Sequence, residues 1–242
     1  MKKLIIIDNE IIYKMVRRFI DGKNRNDIIF CHSGKLIEIS NESFFKSKDS
    51  TIDVMAELEF IKENYDLIIS IHCQQIFPRE LVKKVRCINL HPGYNPSTRG
   101  WYPHVFAIIY DLPAGATLHE MDEFIDHGPI IARKPVEKDI SDTSCSLYNK
   151  ILKAEVELIT ENFDSILDNS YRTQKVDEED NLFSKSDYGK LLEIDLNREG
   201  KFIDFYNMLR ALSHRGHKNA FFYLPASGKK IFLSMEINVE DQ

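Results

Sequence analysis

No stretch of this 242-residue chain reads Gly-x-Gly-x-x-Gly, and none carries the Gly-Lys-Ser/Thr of a phosphate-binding loop. Dinucleotide-dehydrogenase and P-loop chemistry are therefore set aside, despite a strand-and-helix pattern that could host either. Long apolar runs are also missing. None approaches the ~18–20 residues of a membrane span. The aliphatic patch after Met1-Lys2-Lys3 is closed by Asp8, Asn9 and Glu10, too soon for a signal peptide. Cysteine is scarce: Cys31, Cys73, Cys87 and Cys145, none in a Cys-x-x-Cys pair. That usage points to buried reduced thiols and a cytoplasmic setting. A basic excess is absent too. The formal net charge of −6 argues against a protein that coats nucleic acid. It leaves room for an anionic small ligand held by a few local cations. No internal repeat occurs.

What remains is ordinary in amount, with 43% hydrophobic residues, ample for a core. Leu4 to Ile7, Ile28 to Cys31, Leu67 to Ile71 and Cys87 to Leu90 are short aliphatic runs that suit strands buried on both faces. Helical spacing separates them at Ile11–Ile20, at Ile52–Ile61 and at Arg79–Lys84. The polar segment from Ser33 to Ser50 reads as an irregular connection or short strands. This alternation predicts an α/β fold with a mostly parallel sheet and helices on both faces. Ligands of such sheets bind at the carboxyl ends of the strands. Asn9, the Gln74–Pro78 loop and Asn89–His91 fall on that edge. Further on, Pro103–Tyr110 reads as a helix, Ala116–Met121 and Ile130–Val136 as strands, and a long amphipathic helix ends near Leu167. The acidic stretch from Asp168 to Ser186, with Asp177-Glu178-Glu179-Asp180, reads as a solvated linker. A small second unit follows, with a helix around Phe202, Phe205, Tyr206, Leu209 and Leu212 and a hairpin turning at Pro225–Gly228. The expected division is residues 1–180 and 181–242.

Chemistry concentrates between Ile88 and Ala132. Asn89 and His91 are two apart on a strand, so they face one space. The amide can donate to a developing oxyanion and the imidazole can take a proton. Asp126, before His127-Gly128-Pro129, is a carboxylate presented by a loop, and near His91 it would orient the ring. A zinc-hydrolase set of His91, His119 and Asp126 is a second reading, though the usual His-x-x-x-His spacing is missing.

These motifs carry a resemblance. Asn89-x-His91, Pro96-x-x-Arg99-Gly100-x-x-Pro103, Gly115-x-Thr117-x-His119 and Asp126-x-Gly128, in that order, resemble the formyltransferases that use 10-formyltetrahydrofolate. The resemblance implies a Rossmann-like catalytic domain, a catalytic set of Asn89, His91 and Asp126, and no metal. It also implies a folate slot beside Ile76, Phe77, Pro78 and the run Met121, Asp122, Glu123, Phe124 and Ile125.

The family includes enzymes acting on a purine-pathway ribonucleotide (glycinamide ribonucleotide), on methionyl-tRNA and on nucleotide-linked amino sugars. From Asp187 to Gln242 eight basic side chains face eight acidic ones, unlike a tRNA-docking unit. Arg210-Ala211-Leu212-Ser213-His214 and Asn219-Ala220-Phe221-Phe222, with Arg99–Pro103, look like the sugar N-formyltransferases. That likeness implies a dTDP-linked amino-dideoxy sugar as acceptor, with 4-amino-4,6-dideoxyglucose favoured, destined for bacterial surface polysaccharide (O-antigen). A non-catalytic folate- or nucleotide-binding module is the reading from another class. Aromatic faces for the base would come from Trp101, Tyr102, Phe222 or Tyr223, diphosphate contacts from Asn9, Lys14, Arg99 or Arg215, and a further substrate contact from Gly100. The hairpin edge needs a cover, which a two-fold homodimer supplies.

Overall fold

The computed structural model describes residues 2–34, 50–175 and 181–240. The reading of Ser33–Ser50 as an irregular connection, and that of the acidic run 177–180, fall largely or wholly outside these residues. The strands are β1 Lys2–Ile7, β2 Ile28–His32, β3 Ser50–Thr51, β4 Tyr65–Ile71, β5 Arg86–His91, β6 Arg99–Gly100, β7 Ala114–Glu120, β8 Ile130–Val136, β9 Leu182–Phe183, β10 Ala220–Tyr223 and β11 Lys230–Leu233. The helices are α1 Glu10–Asp21, α2 Leu58–Asn64, α3 Arg79–Lys84, α4 Pro103–Ile109, α5 Ser144–Asp168, α6 Lys185–Leu192 and α7 Phe202–Leu212.

The main sheet runs β3-β2-β1-β4-β5-β7-β8. Strands β1 to β5 are parallel, while β7 and β8 return antiparallel. Strand order reverses on either side of β1, which puts the switch point of a doubly wound sheet at the carboxyl ends of β1 and β4. The continuous aliphatic runs are explained by packing on two sides. Ile5 and Ile7 of β1 join a core with α1 and α5, whereas Leu4 and Ile6 join a second core with α2 and α3. Alternate residues of one strand thus face opposite layers.

Two expectations are corrected. The helix predicted from Ile52 begins only at Leu58. Asp53 Oδ1 accepts from the backbone N–H groups of Met55 and Ala56 and holds a turn there, while Ile52 and Val54 are buried in non-helical backbone. The stretch 168–186 is more than a linker. Gln174 bridges to Ile130, and Leu182–Phe183 pairs in parallel with Arg99–Gly100. Helix α6 follows, started by Ser184, whose hydroxyl accepts from Asp187 N while the Asp187 carboxylate accepts from Ser184 N. The helix expected around Phe202–Leu212 is present as α7; it buries Met208, Arg210, Ala211 and Leu212, packs Phe205 on the core and leaves Phe202 82% exposed. Helix α7 packs on α4, and buried Arg210 donates to the carbonyls of Asp139 and Asp142. Among the described residues no helix is long and apolar enough to cross a membrane.

Candidate active site

Strands β5 and β7 end side by side, with Asn89 paired to His119 and His91 to Thr117. The register brings three polar side chains to one wall, and the loop after β7 adds the fourth, Asp126. Asn89 Nδ2 donates to Asp126 Oδ1 at 2.9 Å and lies 3.3 Å from His119 Nε2. His119 Nδ1 sits 2.7 Å from the Glu120 carbonyl. A carbonyl only accepts, so Nδ1 carries the hydrogen and Nε2 accepts from Asn89. His91 Nε2 is 3.0 Å from the Thr98 carbonyl, and the same logic leaves Nδ1 as its remaining nitrogen. That atom lies 3.4 Å from Asp126 Oδ2.

The turn after β5 makes this ring position possible. At Gly93 an added Cβ would stand 2.3 Å from both His91 Nε2 and the Thr98 oxygen, so only glycine lets the turn close onto the imidazole. Thr117 Oγ1 donates to the Gly93 carbonyl at 2.7 Å and accepts from Asn95 N at 3.0 Å. Asn95 Nδ2 in turn donates to the Asp126 carbonyl at 2.8 Å. Asp126 occupies left-handed backbone at φ 48°, a conformation aspartate tolerates better than most residues. Gly100 N donates to its Oδ2 at 3.0 Å. Burial alone would favour the neutral acid. In acid, where the rings of His91 and His119 are protonated, their positive charge and the Gly100 N–H outweigh it and hold Asp126 well below the usual carboxylate range.

These groups border a cavity of about 470 Å³. Its apolar wall is built from the two predicted loops. Ile76, Phe77 and Met121–Ile125 line it, whereas Pro78 stands behind as the residue that starts α3. Ile76 is 77% exposed and Phe124 63% exposed, while Phe77 is buried beneath with Met121 packed on its cluster. Arg79 Nε pairs with Glu123 at 2.5 Å and ties the two loops together. Exposed apolar side chains beside a cavity suit a flat heteroaromatic ligand.

The predicted acceptor contacts divide. Gly100, Trp101 and Tyr102 line the cavity; Asn9, Lys14, Arg99, Arg215, Phe222 and Tyr223 do not. Asn9 is buried as the cap of α1, accepting from Ile12 N and donating to the Tyr148 hydroxyl. Lys14 pairs with Glu10 one turn away. Arg215 stands exposed in the turn after α7, and Phe222 and Tyr223 pair with β11. In their place the cavity is lined by Lys185 and Tyr188 of α6, and by Tyr148, His214, His217 and Asn219. Tyr188 stacks on Tyr102 at 3.9 Å, and Lys185 Nζ lies 3.8 Å above the Trp101 ring. The Ser184-x-x-Asp187 capping pattern is a signal that would have found α6. His91, His119 and Asp126 do converge, yet among the described residues no group of three or more His, Cys, Asp or Glu is arranged to hold a metal ion.

A family model described as Formyl transferase matches residues 34–163, and one described as N-formyltransferase dimerization C-terminal domain matches residues 187–240. A dTDP-4-amino-4,6-dideoxyglucose formyltransferase of Mycobacterium tuberculosis is 45% identical over 188 residues, 78% of this chain and 80% of that protein. A crystal structure of a 4-N formyltransferase from Francisella tularensis superposes with a TM-score of 0.92 at 37% identity, covering 99% of this chain and 98% of that one. A sugar N-formyltransferase from a Shewanella species superposes at 0.91 with 33% identity, covering 100% and 99%.

Proposed function

The chain belongs to the formyl transferase family, and on that footing we propose that it moves a formyl group from 10-formyltetrahydrofolate to the amine of a dTDP-linked amino-dideoxy sugar. The favoured acceptor is dTDP-4-amino-4,6-dideoxyglucose, in keeping with the M. tuberculosis relative. The single observation that carries the chemistry is the convergence of Asn89, His91 and Asp126 on one wall of the cavity.

The exposed apolar wall of Ile76, Phe124 and Ile125, floored by Phe77 and Met121, fits a pteridine ring. Asp122 and Glu123 lie beside it. 10-Formyltetrahydrofolate bound there supplies the formyl group. His91 Nδ1 would accept the proton that the attacking amine gives up as the new C–N bond forms, and return it to the folate nitrogen that leaves as the old C–N bond breaks. Asn89 Nδ2 exchanges one of its resting partners, Asp126 or His119, for the formyl oxygen as negative charge grows on it; such a donor is worth about 2.7–4 kcal/mol in comparable sites. Asp126 stays a carboxylate throughout and stabilises the imidazolium. At the cavity mouth, Trp101 offers an aromatic face to the base and Lys185 a cation to the diphosphate. The balanced charge of 187–242 supports a small acceptor over tRNA.

The proposed division of labour follows the chain. Residues 1–180 carry the reaction. Residues 181–242 close the cavity through α6 and pair two copies, a role supported by the dimerization-domain match and by exposed Phe202, Phe232 and Val239. The enzyme works in the cytoplasm, and its product feeds bacterial surface polysaccharide (O-antigen). The test is incubation with 10-formyltetrahydrofolate and a panel of dTDP-amino sugars, followed by mass spectrometry. N-formyl product from a dTDP-4-amino sugar is expected; ligand binding by calorimetry without turnover on any amine would overturn the enzymatic reading.

A further inference from the structure

A second wall of the same cavity is built from groups that the reaction above does not employ. Glu155 of α5 is fully buried, and its carboxylate accepts from His72 Nε2 at 2.9 and 3.1 Å. On the other side of that ring, His72 Nδ1 is 3.3 Å from the Tyr148 hydroxyl, which also receives Asn9 Nδ2 at 3.1 Å. His72 follows the last residue of β4 in left-handed backbone at φ 55°, a conformation that costs on the order of 1–2 kcal/mol for such a residue. A buried acid, a strained histidine and a capping amide thus fix one tyrosine at the cavity wall.

Against the Tyr148 ring lies His104, ring centroids 4.9 Å apart at 40°. His104 is the second residue of α4, lines the cavity and is 7% exposed. Its Nδ1 is buried with no hydrogen-bond partner among the described residues. Burial first, then His214 and His72, hold its pKa down at about 3, so the ring is neutral. Buried polar atoms in folded proteins are nearly always paired, and one that is not calls for an explanation. Packing alone would favour a phenyl ring here, stacked on tyrosine without an orphaned nitrogen. Neutrality makes the site a poor match for phosphate. A neutral imidazole carries one N–H and one lone pair, and a hydroxyl group can answer either.

We propose that His104, braced by Tyr148, is a specificity-determining residue that meets a ring hydroxyl of the acceptor sugar. The assignment rests on the sugar-acceptor reading above. It divides the cavity into a reacting wall at Asn89, His91 and Asp126 and a reading wall at His104 and Tyr148. Sites that hydrogen-bond a substrate hydroxyl discriminate against analogues lacking it, whereas apolar pockets do so weakly.

The experiment compares the full-length enzyme with its His104→Phe and His104→Gln variants. Each is assayed with 10-formyltetrahydrofolate, with the dTDP-amino sugar the wild type accepts, and with analogues each lacking one ring hydroxyl. On the wild type one analogue should lose about tenfold in kcat/KM, the size of a single neutral hydrogen bond. On His104→Phe that loss should vanish, and the parent sugar should itself be about tenfold poorer through KM, with kcat little changed. The melting temperature of His104→Phe should equal or exceed that of the wild type, because the orphaned polar atom is gone. His104→Gln, which keeps a donor and an acceptor, should restore part of the discrimination, and it carries the comparison if the phenylalanine variant does not fold. Equal losses on wild type and variants for every analogue would overturn the proposal. So would a lowered melting temperature with unchanged KM, the mark of a purely structural histidine. If the wild type formylates no dTDP-amino sugar, the acceptor reading fails first and this assignment falls with it; an active wild type with an unchanged analogue profile isolates failure to His104.

Discussion

His91 Nδ1 stands 3.4 Å from Asp126 Oδ2, beyond a strong hydrogen bond and well placed for an ion pair that forms once Nδ1 gains a proton. The other ring nitrogen already spends its hydrogen on Thr98. The attraction between the two residues is therefore weak at rest and, in the proposed reaction, would grow as His91 takes the proton of the amine. Interactions that strengthen toward the transition state are the ones that accelerate a reaction.

Replacing His91 by alanine should lower kcat by about 10²–10⁴-fold, the usual worth of a positioned acid–base group. Circular dichroism should show the fold intact. Full activity in this variant would remove His91 from the mechanism.

Asp126→Asn should lower kcat and also change the response to acid. The folded-state pKa of Asp126 is depressed, so this carboxylate stabilises the fold above its unfolded pKa and ceases to do so as pH falls through the folded value. The stability gap between wild type and variant should be widest near neutral pH and shrink on strong acidification. Thermal unfolding across a pH series would show a constant gap if the carboxylate carried no such linkage.

Gly93→Ala should be far costlier than a surface alanine. The new methyl would meet the imidazole and the Thr98 carbonyl at 2.3 Å, and one must move. A loss of about 1–3 kcal/mol in unfolding free energy is expected. The drop in kcat should exceed any change in KM, because the ring and not the cavity is displaced.

Phe183→Ala tests the reach of the C-terminal segment. Phe183 stacks on Phe106 at 3.9 Å, and its strand pairs with Gly100, whose N–H donates to Asp126. Truncation should cost about 2–3 kcal/mol, less than a fully buried phenylalanine. It should also reduce kcat, although residue 183 lies outside the cavity lining.

Phe232→Glu should shift the protein toward monomer in sedimentation velocity, since exposed Phe232 sits on the open edge of the β10–β11 hairpin. A sedimentation coefficient unchanged from the wild type would put the dimer contact elsewhere.

The parallel core was legible because aliphatic runs such as Leu4–Ile7 and Leu67–Ile71 have no other comfortable home. Asn89 and His91 could be paired because residues two apart on a strand share a side. His119 could be quoted as part of a motif, but its bond to Asn89 depends on the β5–β7 register, which no local spacing encodes. His104 was invisible for a similar reason, since an unpartnered nitrogen is a property of packing. Phe202 and Phe205 marked helix α7 but not its buried face, since helical spacing does not say which side meets the core: Phe205 packs on it while Phe202 is exposed. Asn9 and Lys14 lie outside the cavity lining, one serving as the cap of α1 and one pairing with Glu10 at i,i+4.

The pairing of Leu182–Phe183 with Arg99–Gly100 also sets an order of assembly. Synthesis delivers the chain from its N-terminus. Asn89, His91 and Asp126 are all in hand long before residue 182 leaves the ribosome, yet until then the strand carrying the Gly100 N–H lacks its neighbour. A chain that stops short of residue 182 would lack both the neighbour strand of Gly100 and the α7 side chains Met208, Ala211 and Leu212 that complete the main core.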